Sequence, residues 1–258
     1  MVLLRVGRMG RLQDINDQIS LMVKQKILQA YEQMAKKYDE LIDHKPHNAY
    51  YDRPNTLQLI GDVAGKNILD AACGPGKYAE ILMEAGAQVT GFDVSPTMVE
   101  LAKARNHGKG HFFVHDLSER LADLADETFD IIVCALALHY IEDWTVTMQE
   151  FFRLLKAGGK LVISIEHPFS EYQYYQSKKY FEIEHVHTDW RGFGGSIEVH
   201  CYRRSLTDCL MPLIKAGFQL EEILEPKPTE EFEKLDPRHY QELMNFPAFL
   251  CLKAVKVR

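Results

Sequence analysis

The chain has no apolar run that approaches the roughly 20 residues a membrane-spanning helix needs, so no such helix is predicted among its 258 residues. It has no CxxC pair either, and its five cysteines, at positions 73, 134, 201, 209 and 251, are scattered. This pattern argues against a disulfide framework and favours reduced thiols in a cytoplasmic protein. Basic residues are in the minority, and the net charge is −7. We therefore expect no nucleic-acid partner and no membrane association.

Strands and helices alternate regularly from position 67 to position 166, which predicts a parallel α/β sheet with helices on both faces. The predicted strands are 67–70, 88–93, 111–115, 129–135 and 160–166. The predicted helices between them are 78–85, 96–106 and 143–155, and Ser95 is placed to cap the second. Asn55 is the predicted cap of a shorter helix, 55–63, that precedes the first strand.

The flanks of this core follow other patterns. Helical spacing of apolar residues covers 12–42. After Pro168, the segments 180–187 and 196–203 suit the two strands of a hairpin, joined by a glycine-containing turn at 192–195. The α/β pattern then resumes with a helix at 205–216, a strand at 219–225, a loop at 226–237, a helix at 238–244 and a strand at 248–257. We expect an extension or helix over 1–30, and one domain over 31–258 with a cap insertion at about 168–204.

The stretch NILDAACGPGKYAE, which starts at Asn67, joins a strand to a helix and contains the pattern G-x-G-x-x-A. Such a turn binds NAD or S-adenosylmethionine, and Asp93, which ends the second strand, suits the ribose hydroxyls of either. Asp70 suits an ammonium group, and Asp116 with the Leu117 N–H suits an adenine edge. About 65 residues precede the first strand, which is unusual for an NAD domain. These features favour adenosylmethionine.

The chain resembles the class I S-adenosylmethionine-dependent methyltransferases, in the methyltransferase type 11 group that includes the ubiquinone-biosynthesis enzymes. Five segments within 31–168 are similar to the family's motifs: YEQMAKKYDEL, ILDAACGPG, VTGFDVSPTMVELAKA, HFFVHDL and FDIIVCALALHYIEDW. The glycine pair and strand in LLKAGGKLVISIEHP also match. Ala72 departs from the pattern, because many members have glycine there. The resemblance implies a Rossmann-like, doubly wound sheet of seven strands, mostly parallel with an antiparallel last strand, and an N-terminal lid helix.

The resemblance also implies a set of cofactor-binding residues for S-adenosylmethionine and its product, S-adenosylhomocysteine. Asp70 and the Gly74 backbone would hold the methionyl amine, in a turn that includes Ala72, Pro75 and Gly76. Asp93 would bind the ribose, while Val94, Met98, Asp116 and Leu117 would surround the adenine. Ala135 and Leu136 would lie beside the sulfonium. Tyr31, Tyr38, Tyr51 and Arg53 are expected to close over the methionyl end, where an arginine pairs with a carboxylate.

The acceptor side is less defined by the sequence. His139 and His167 follow strands at the ligand edge and are the candidate bases, although methyl transfer needs a base only when the acceptor must lose a proton. Tyr172 and Arg203 are candidate substrate residues in an aromatic insertion, which suits an apolar or aromatic small molecule. We assign no metal ligands, since the hairpin histidines 185, 187 and 200 lack supporting carboxylate or cysteine spacing.

The expected function is therefore methyl transfer to a small molecule by a monomer or homodimer. Three alternatives remain at this point: an RNA or protein methyltransferase, a non-catalytic regulatory protein that binds S-adenosylmethionine, and an NAD enzyme.

Overall fold

The computed structural model describes residues 3–257, with side chains from residue 18 onwards. Its strands form where the sequence has apolar runs. The strands are β1 (Asn67–Ala71), β2 (Gln88–Asp93), β3 (His111–Val114), β4 (Phe129–Ala135), β5 (Leu155–Glu166), β6 (Glu184–Arg191), β7 (Ser196–Arg203), β8 (Phe218–Leu224) and β9 (Phe249–Lys256). The predicted bounds of β2, β4 and β7 agree with these.

The helices are α1 (Leu3–Leu41), α2 (Arg53–Ile60), α3 (Lys77–Glu84), α4 (Pro96–Arg105), α5 (Thr145–Leu154), α6 (Pro168–Tyr174), α7 (Leu206–Ala216), α8 (Glu230–Leu235) and α9 (Pro237–Asn245). A π-helical turn (Asn48–Asp52) precedes α2, and a 3₁₀ turn (Leu138–Tyr140) follows β4. None of the helices within residues 3–257 combines the length and the apolar character that crossing a membrane requires.

Seven strands form one sheet in the order β3-β2-β1-β4-β5-β9-β8. Neighbours from β3 to β5 are parallel, while β9 runs antiparallel to both β5 and β8. This confirms the predicted fold class. The chain order reverses between β1 and β4, and a crevice for ligands forms outside the carboxyl ends of the strands at such a point.

Both faces of the sheet are buried, because alternate residues of each central strand point to opposite sides. On one face, Leu69 and Ile132 pack with residues of α5 and α7, including Met148 and Leu213. On the other face, Ile68 packs with residues of α2, α3 and α4. The two layers hold the strand ends in fixed positions at one edge, where the site forms.

The hairpin of β6 and β7 is separate from the main sheet and packs against α1. Its inward residues Ile197 and Val199 lie with Ala30 and Met34 in an apolar cluster. The predicted cap insertion is therefore present as a hairpin, but its first strand begins at Glu184 instead of near position 180.

Local capping explains where several helices begin. Ser95 accepts a hydrogen bond from the Met98 N–H at 3.0 Å, which confirms the predicted cap of α4. Asn55, in contrast, lies inside α2 and donates to the Tyr51 carbonyl at 2.6 Å, so the predicted cap is wrong. The sequence also did not predict α6 or α8. His167 caps α6, and the wholly buried Phe232 holds α8 within the predicted loop 226–237.

Gly76 is required for the junction between α3 and α4. Its φ is +78°, and a Cβ there would lie 2.6 Å from the Asn106 amide nitrogen and 2.9 Å from the Ala102 Cβ. Gly74, two residues earlier, has a φ of +52°, but a Cβ would meet nothing within 4 Å. The two positions share the left-handed conformation and differ in packing.

We therefore expect Gly76→Ala to lower the free energy of unfolding by about 2–4 kcal/mol, since backbone strain and overpacking add. Gly74→Ala, the matched control, should cost about 1 kcal/mol from strain alone. Urea denaturation measures both values. Equal losses in the two variants would show that the contact with α4 is unimportant.

Candidate functional site

A cavity lies at the carboxyl ends of β1, β2 and β4, and α1 covers it. It brings together most of the residues that the sequence predicts to bind a cofactor: Tyr31, Tyr38, Arg53, Asp70, Ala72, Gly74, Pro75, Asp93, Val94, Met98, Asp116, Leu117, Ala135 and Leu136. The face of α1 towards the cavity presents Ser20, Lys24, Ile27, Tyr31 and Tyr38 at helical spacing.

Asp70 is one of three buried acids that line the cavity, with Asp52 and Asp93. It lies near the end of β1, only 2% exposed, and its Oδ2 atom has no hydrogen-bond partner among the described residues. Burial raises the pKa of Asp70 to about 7, with a further contribution from the charge of Asp93. A cation or a strong hydrogen-bond donor that approaches such a carboxyl group stabilises its ionised form.

Arg53 is the complementary base, at the start of α2. It is 6% exposed and donates from Nη2 to the Ile42 carbonyl at 2.8 Å, while its Nε is buried without a partner among the described residues. The cavity is therefore lined by two buried groups of opposite charge, Arg53 and Asp70, each with one unsatisfied atom. A ligand that carries both an anionic and a cationic group would complete them.

Asp93 is the last residue of β2, and it fixes the turn beneath the cavity. Its two carboxylate oxygens accept hydrogen bonds from the N–H groups of Gly74 and Ser95, both at 2.9 Å. Burial raises the pKa of Asp93 to about 6. Each oxygen retains a lone pair, so the carboxylate can still accept from two ligand hydroxyl groups.

Asp116 connects the cavity to α1. It accepts from the Lys24 ammonium at 3.0 Å and from the Ser118 N–H at 2.8 Å. Burial raises the pKa of Asp116, but these hydrogen bonds outweigh burial and leave the pKa below its usual value. Asp116 is therefore ionised, and Lys24 spans the opening between α1 and the loop after β3.

The residue that directly follows β1 and the residue that directly follows β4 both have left-handed backbone. Ala72 has a φ of +58° and Leu136 a φ of +51°, a conformation that costs non-glycine residues free energy. Glycine adopts it freely, which explains why many members of the family that the sequence resembles have glycine at the position of Ala72. Strained residues of this kind concentrate at ligand sites.

The other half of the cavity is aromatic and apolar. The Tyr31 hydroxyl donates to the Tyr140 hydroxyl at 2.6 Å, and the two rings pack edge to face. Ile27, Ile141 and Tyr202 extend this surface. Burial raises the pKa of both Tyr31 and Tyr140 well above 10, so the two hydroxyl groups remain neutral.

Comparison with known proteins agrees with this geometry. The profile of a methyltransferase domain family matches residues 69–163. An uncharacterized protein of Haemophilus influenzae is 27% identical over 94% of this chain and 99% of its own length. The ubiquinone biosynthesis O-methyltransferase of Xanthomonas oryzae pv. oryzae is 38% identical over 40% of this chain, and the match spans 44% of that enzyme.

A crystal structure of an S-adenosylmethionine-dependent methyltransferase from Mesorhizobium loti covers 83% of this chain and 99% of its own, with a TM-score of 0.65 and 26% identity. This chain contains a methyltransferase domain and has the fold of the S-adenosylmethionine-dependent methyltransferases. Its cofactor is S-adenosylmethionine, and the cavity fits that molecule, because an amino-acid end offers an ammonium for the unsatisfied Asp70 oxygen and a carboxylate for the unsatisfied Arg53 nitrogen.

Two predicted cofactor residues of this methyltransferase lie elsewhere. Tyr51 is wholly buried outside the cavity, where its ring stacks on Phe249 and its hydroxyl accepts from the Ala248 N–H at 2.9 Å. Gly76 does not line the cavity either, because it packs against α4. Both have structural roles.

The two candidate bases also lie outside the cavity. His167 caps α6 through Nδ1 and contacts the Glu225 carboxylate through Nε2 at 3.0 Å. His139 is buried beneath Tyr140, with ring centroids 4.1 Å apart. Burial lowers the pKa of both histidines, and neither ring faces the cavity.

The predicted substrate residues Tyr172 and Arg203 stabilise the cap instead of lining the cavity. Arg203 has no exposed surface, and it donates to Glu184 at 2.8 Å and to backbone carbonyls, including that of Glu182 at 2.6 Å. Its guanidinium lies 5.7 Å from the Tyr172 ring centroid. The sequence does not distinguish such an internal ion pair from a substrate contact, because both place a buried arginine near aromatic residues.

Sequence reasoning missed several residues that line the cavity, among them Lys24, Asp52, Tyr78, Tyr140 and Tyr202. A signal for Lys24 was present, because it lies seven residues before Tyr31 and so on the same helical face. Asp52 is adjacent to the wrongly chosen Tyr51 and accepts from the Tyr78 hydroxyl at 2.7 Å.

The raised pKa values predict an unusual pH dependence of the ligand-free protein. A carboxyl group with a raised folded pKa holds more protons in the folded state than in the unfolded state, so stability falls as pH rises through this window. For Asp70 the loss between about pH 5 and pH 7 is about 2 kcal/mol, and Asp93 adds to it. Urea denaturation at the two pH values measures the effect.

Buried histidines such as His139 have lowered pKa values and act in the opposite sense over this window, so the test is the difference between variants. Asp70→Asn should remove the Asp70 contribution of about 2 kcal/mol, whereas Asp189→Asn on the exposed face of the hairpin should keep the wild-type pH dependence. The same pH dependence in Asp70→Asn and the wild type would contradict the inferred protonation of Asp70.

Proposed function

We propose that this methyltransferase transfers the methyl group of S-adenosylmethionine to a small apolar or aromatic acceptor. The observation that carries the proposal is the division of the cavity into a polar half, with the unsatisfied Asp70 and Arg53, and an aromatic half beside it. The ubiquinone biosynthesis O-methyltransferase similarity supports an aromatic acceptor, although it covers less than half of that enzyme.

The polar half holds the cofactor in this proposal. Asp70 pairs with the ammonium group, Arg53 with the carboxylate, and Asp93 accepts from the ribose hydroxyls. Asp116 and the Leu117 N–H contact the adenine edge, with Val94 and Met98 on its faces. Lys24 keeps Asp116 oriented, and α1 closes the site once the ligand has entered.

The main contribution of the protein to this reaction is to align the acceptor with the methyl group. When bound, S-adenosylmethionine supplies a methyl group on a positively charged sulfur, which is already a strong electrophile. The chain holds the acceptor in line with that methyl group and excludes water, and such positioning can contribute several kcal/mol to the rate. Tyr31, Tyr140 and Tyr202 provide the walls that orient an aromatic ring.

The Tyr31–Tyr140 pair gives the acceptor side a directed donor. Tyr31 donates to Tyr140, which leaves the Tyr140 proton available for an oxygen or nitrogen of the acceptor. Because the histidines face away from the cavity, the proposal favours acceptors that lose their proton without a histidine base, such as an acidic phenol.

The first test concerns the cofactor end. Asp70 must ionise to bind an ammonium group, so the affinity for S-adenosylhomocysteine should rise roughly 20-fold between about pH 5.5 and pH 7.5. Asp70→Asn and Arg53→Met should each weaken binding at least about tenfold, and Asp70→Asn should also flatten most of the pH dependence. Isothermal titration calorimetry measures both effects.

Asp189→Asn is the matched control and should bind like the wild type. Wild-type affinity in the Asp70→Asn variant, or tighter binding of NADH than of S-adenosylhomocysteine, would contradict the assignment of the polar half.

The second test concerns the acceptor. The protein, supplied with S-adenosylmethionine, should release S-adenosylhomocysteine when it is given small phenols and quinols, and Tyr140→Phe should raise KM for them about tenfold while leaving S-adenosylhomocysteine affinity unchanged. Bulk tRNA and unfolded protein serve as the competing acceptors. Turnover with either of those alone would favour the macromolecular alternative, and cofactor binding without any turnover would favour a regulatory protein.

A further inference from the structure

Three side chains with metal-binding atoms meet under the cap hairpin. Glu166 ends β5, Glu171 lies on α6 and Cys201 lies on β7, and one ligand atom from each is within 4.8 Å of the other two. Glu171 and Cys201 are 5% and 4% exposed, and Glu166 is half-buried. None of the three lines the cavity described above.

This cluster is electrostatically incomplete. The Oε1 atom of Glu171 is buried without a hydrogen-bond partner among the described residues. Burial and the neighbouring carboxylate of Glu166 raise the pKa of Glu171 well above its usual value. Burial likewise raises the pKa of the Cys201 thiol, and Glu166 contributes to that shift. Two carboxyl groups in such surroundings need a shared proton or a cation.

The nearby arginines supply only part of that charge: both lower the pKa of Glu171, but neither donates a hydrogen bond to Glu166 or Glu171 among the described residues. Arg203 is bound to Glu184 and to backbone carbonyls, and Arg204 donates to the carbonyls of Ile141 and Glu142. An organic cation would need a cavity that reaches Glu171, which the described cavity does not do. A single ion needs far less room, and the half-buried Glu166 leaves it a path to the cluster.

The donor atoms point to the kind of ion. Two carboxylates suit most divalent cations, but a thiolate selects against magnesium and calcium, which prefer oxygen ligands alone. Zinc accepts both donor types in tetrahedral geometry, and three protein ligands leave its fourth position open. We propose that Glu166, Glu171 and Cys201 form a binding site for a divalent transition-metal ion of the zinc type.

Metal binding at this site is a proton exchange. The ion forms bonds to the Cys201 sulfur and to both carboxylates, while the thiol proton and the proton shared by the carboxyl groups leave to solvent. The site lies close to the acceptor half of the cavity, because the charges of Glu166 and Cys201 both act on the Tyr140 hydroxyl.

Cobalt(II) provides the probe, since a cobalt–thiolate bond absorbs in the near ultraviolet and needs no enzymatic assay. We expect one equivalent of Co²⁺ to give this absorption in the full-length protein and Zn²⁺ to abolish it by displacement. Cys201→Ser should remove the absorption, and Glu171→Gln should weaken Co²⁺ binding at least about tenfold. Cys209→Ser is the matched control, because Cys209 is equally buried on α7 and lies outside the cluster.

Unchanged S-adenosylhomocysteine affinity identifies variants that have folded, so a structural failure is not mistaken for loss of a ligand. The proposal is overturned if Co²⁺ gives no thiolate absorption, if Cys201→Ser keeps it, or if binding disappears only when the hairpin histidine His200 is replaced. Stabilisation of the folded protein by benzylammonium ions and not by Co²⁺ would also overturn it, in favour of an organic cation. These outcomes are independent of methyl transfer.

Discussion

Two buried groups of opposite charge, Asp70 and Arg53, determine what the cavity can hold. Each keeps one atom without a partner among the described residues, and a polar atom left unsatisfied in a buried position costs free energy of about 1–3 kcal/mol. Both residues lie at the cavity wall, where a bound ligand can form the missing hydrogen bonds and remove this cost. An amino-acid group carries both complementary charges, whereas a pyrophosphate would satisfy Arg53 and repel Asp70. The same turn that could contact a dinucleotide is thereby directed towards adenosylmethionine.

The rest of the architecture positions this pair. The parallel order of β1, β2 and β4 brings their carboxyl ends together, so Asp70 and Asp93 come from neighbouring strands and share one turn. Helix α1 then covers the opening and is held to the body by polar contacts: Glu32 accepts from the Thr97 N–H, and Arg105 donates to Asp39 at 2.6 Å. Apolar contacts of Ala30 and Met34 with the cap hairpin also hold α1 in place over the cavity.

The sequence predicts the parts of the site that depend on regular periodicity. Asp93 at the end of β2 and Asp116 just after β3 are predictable as cavity residues, because strand ends in a parallel sheet meet at one edge. Loop residues were less predictable, since a shift of one position reverses the direction of a side chain. In the π-helical turn before α2, Asp52 lines the cavity and the adjacent Tyr51, predicted as a cofactor residue, does not.

Tertiary contacts account for the other differences. His167 and Arg203 are residue types that are common in functional sites. In the fold, however, His167 hydrogen-bonds with Glu225 and Arg203 with Glu184, and both partners are distant in sequence. The cluster of Glu166, Glu171 and Cys201 has no recognisable spacing, because folding of the hairpin onto β5 creates it. No local pattern in a single sequence encodes contacts of this kind.

A crystal structure of the complex with S-adenosylhomocysteine would show whether Asp70 and Arg53 bind the amino-acid end of the ligand. We predict that the ammonium group lies within hydrogen-bond distance of the Asp70 Oδ2 atom and the carboxylate within hydrogen-bond distance of Arg53. A complex in which the amino-acid end lies elsewhere, and Asp70 stays without a partner, would contradict it.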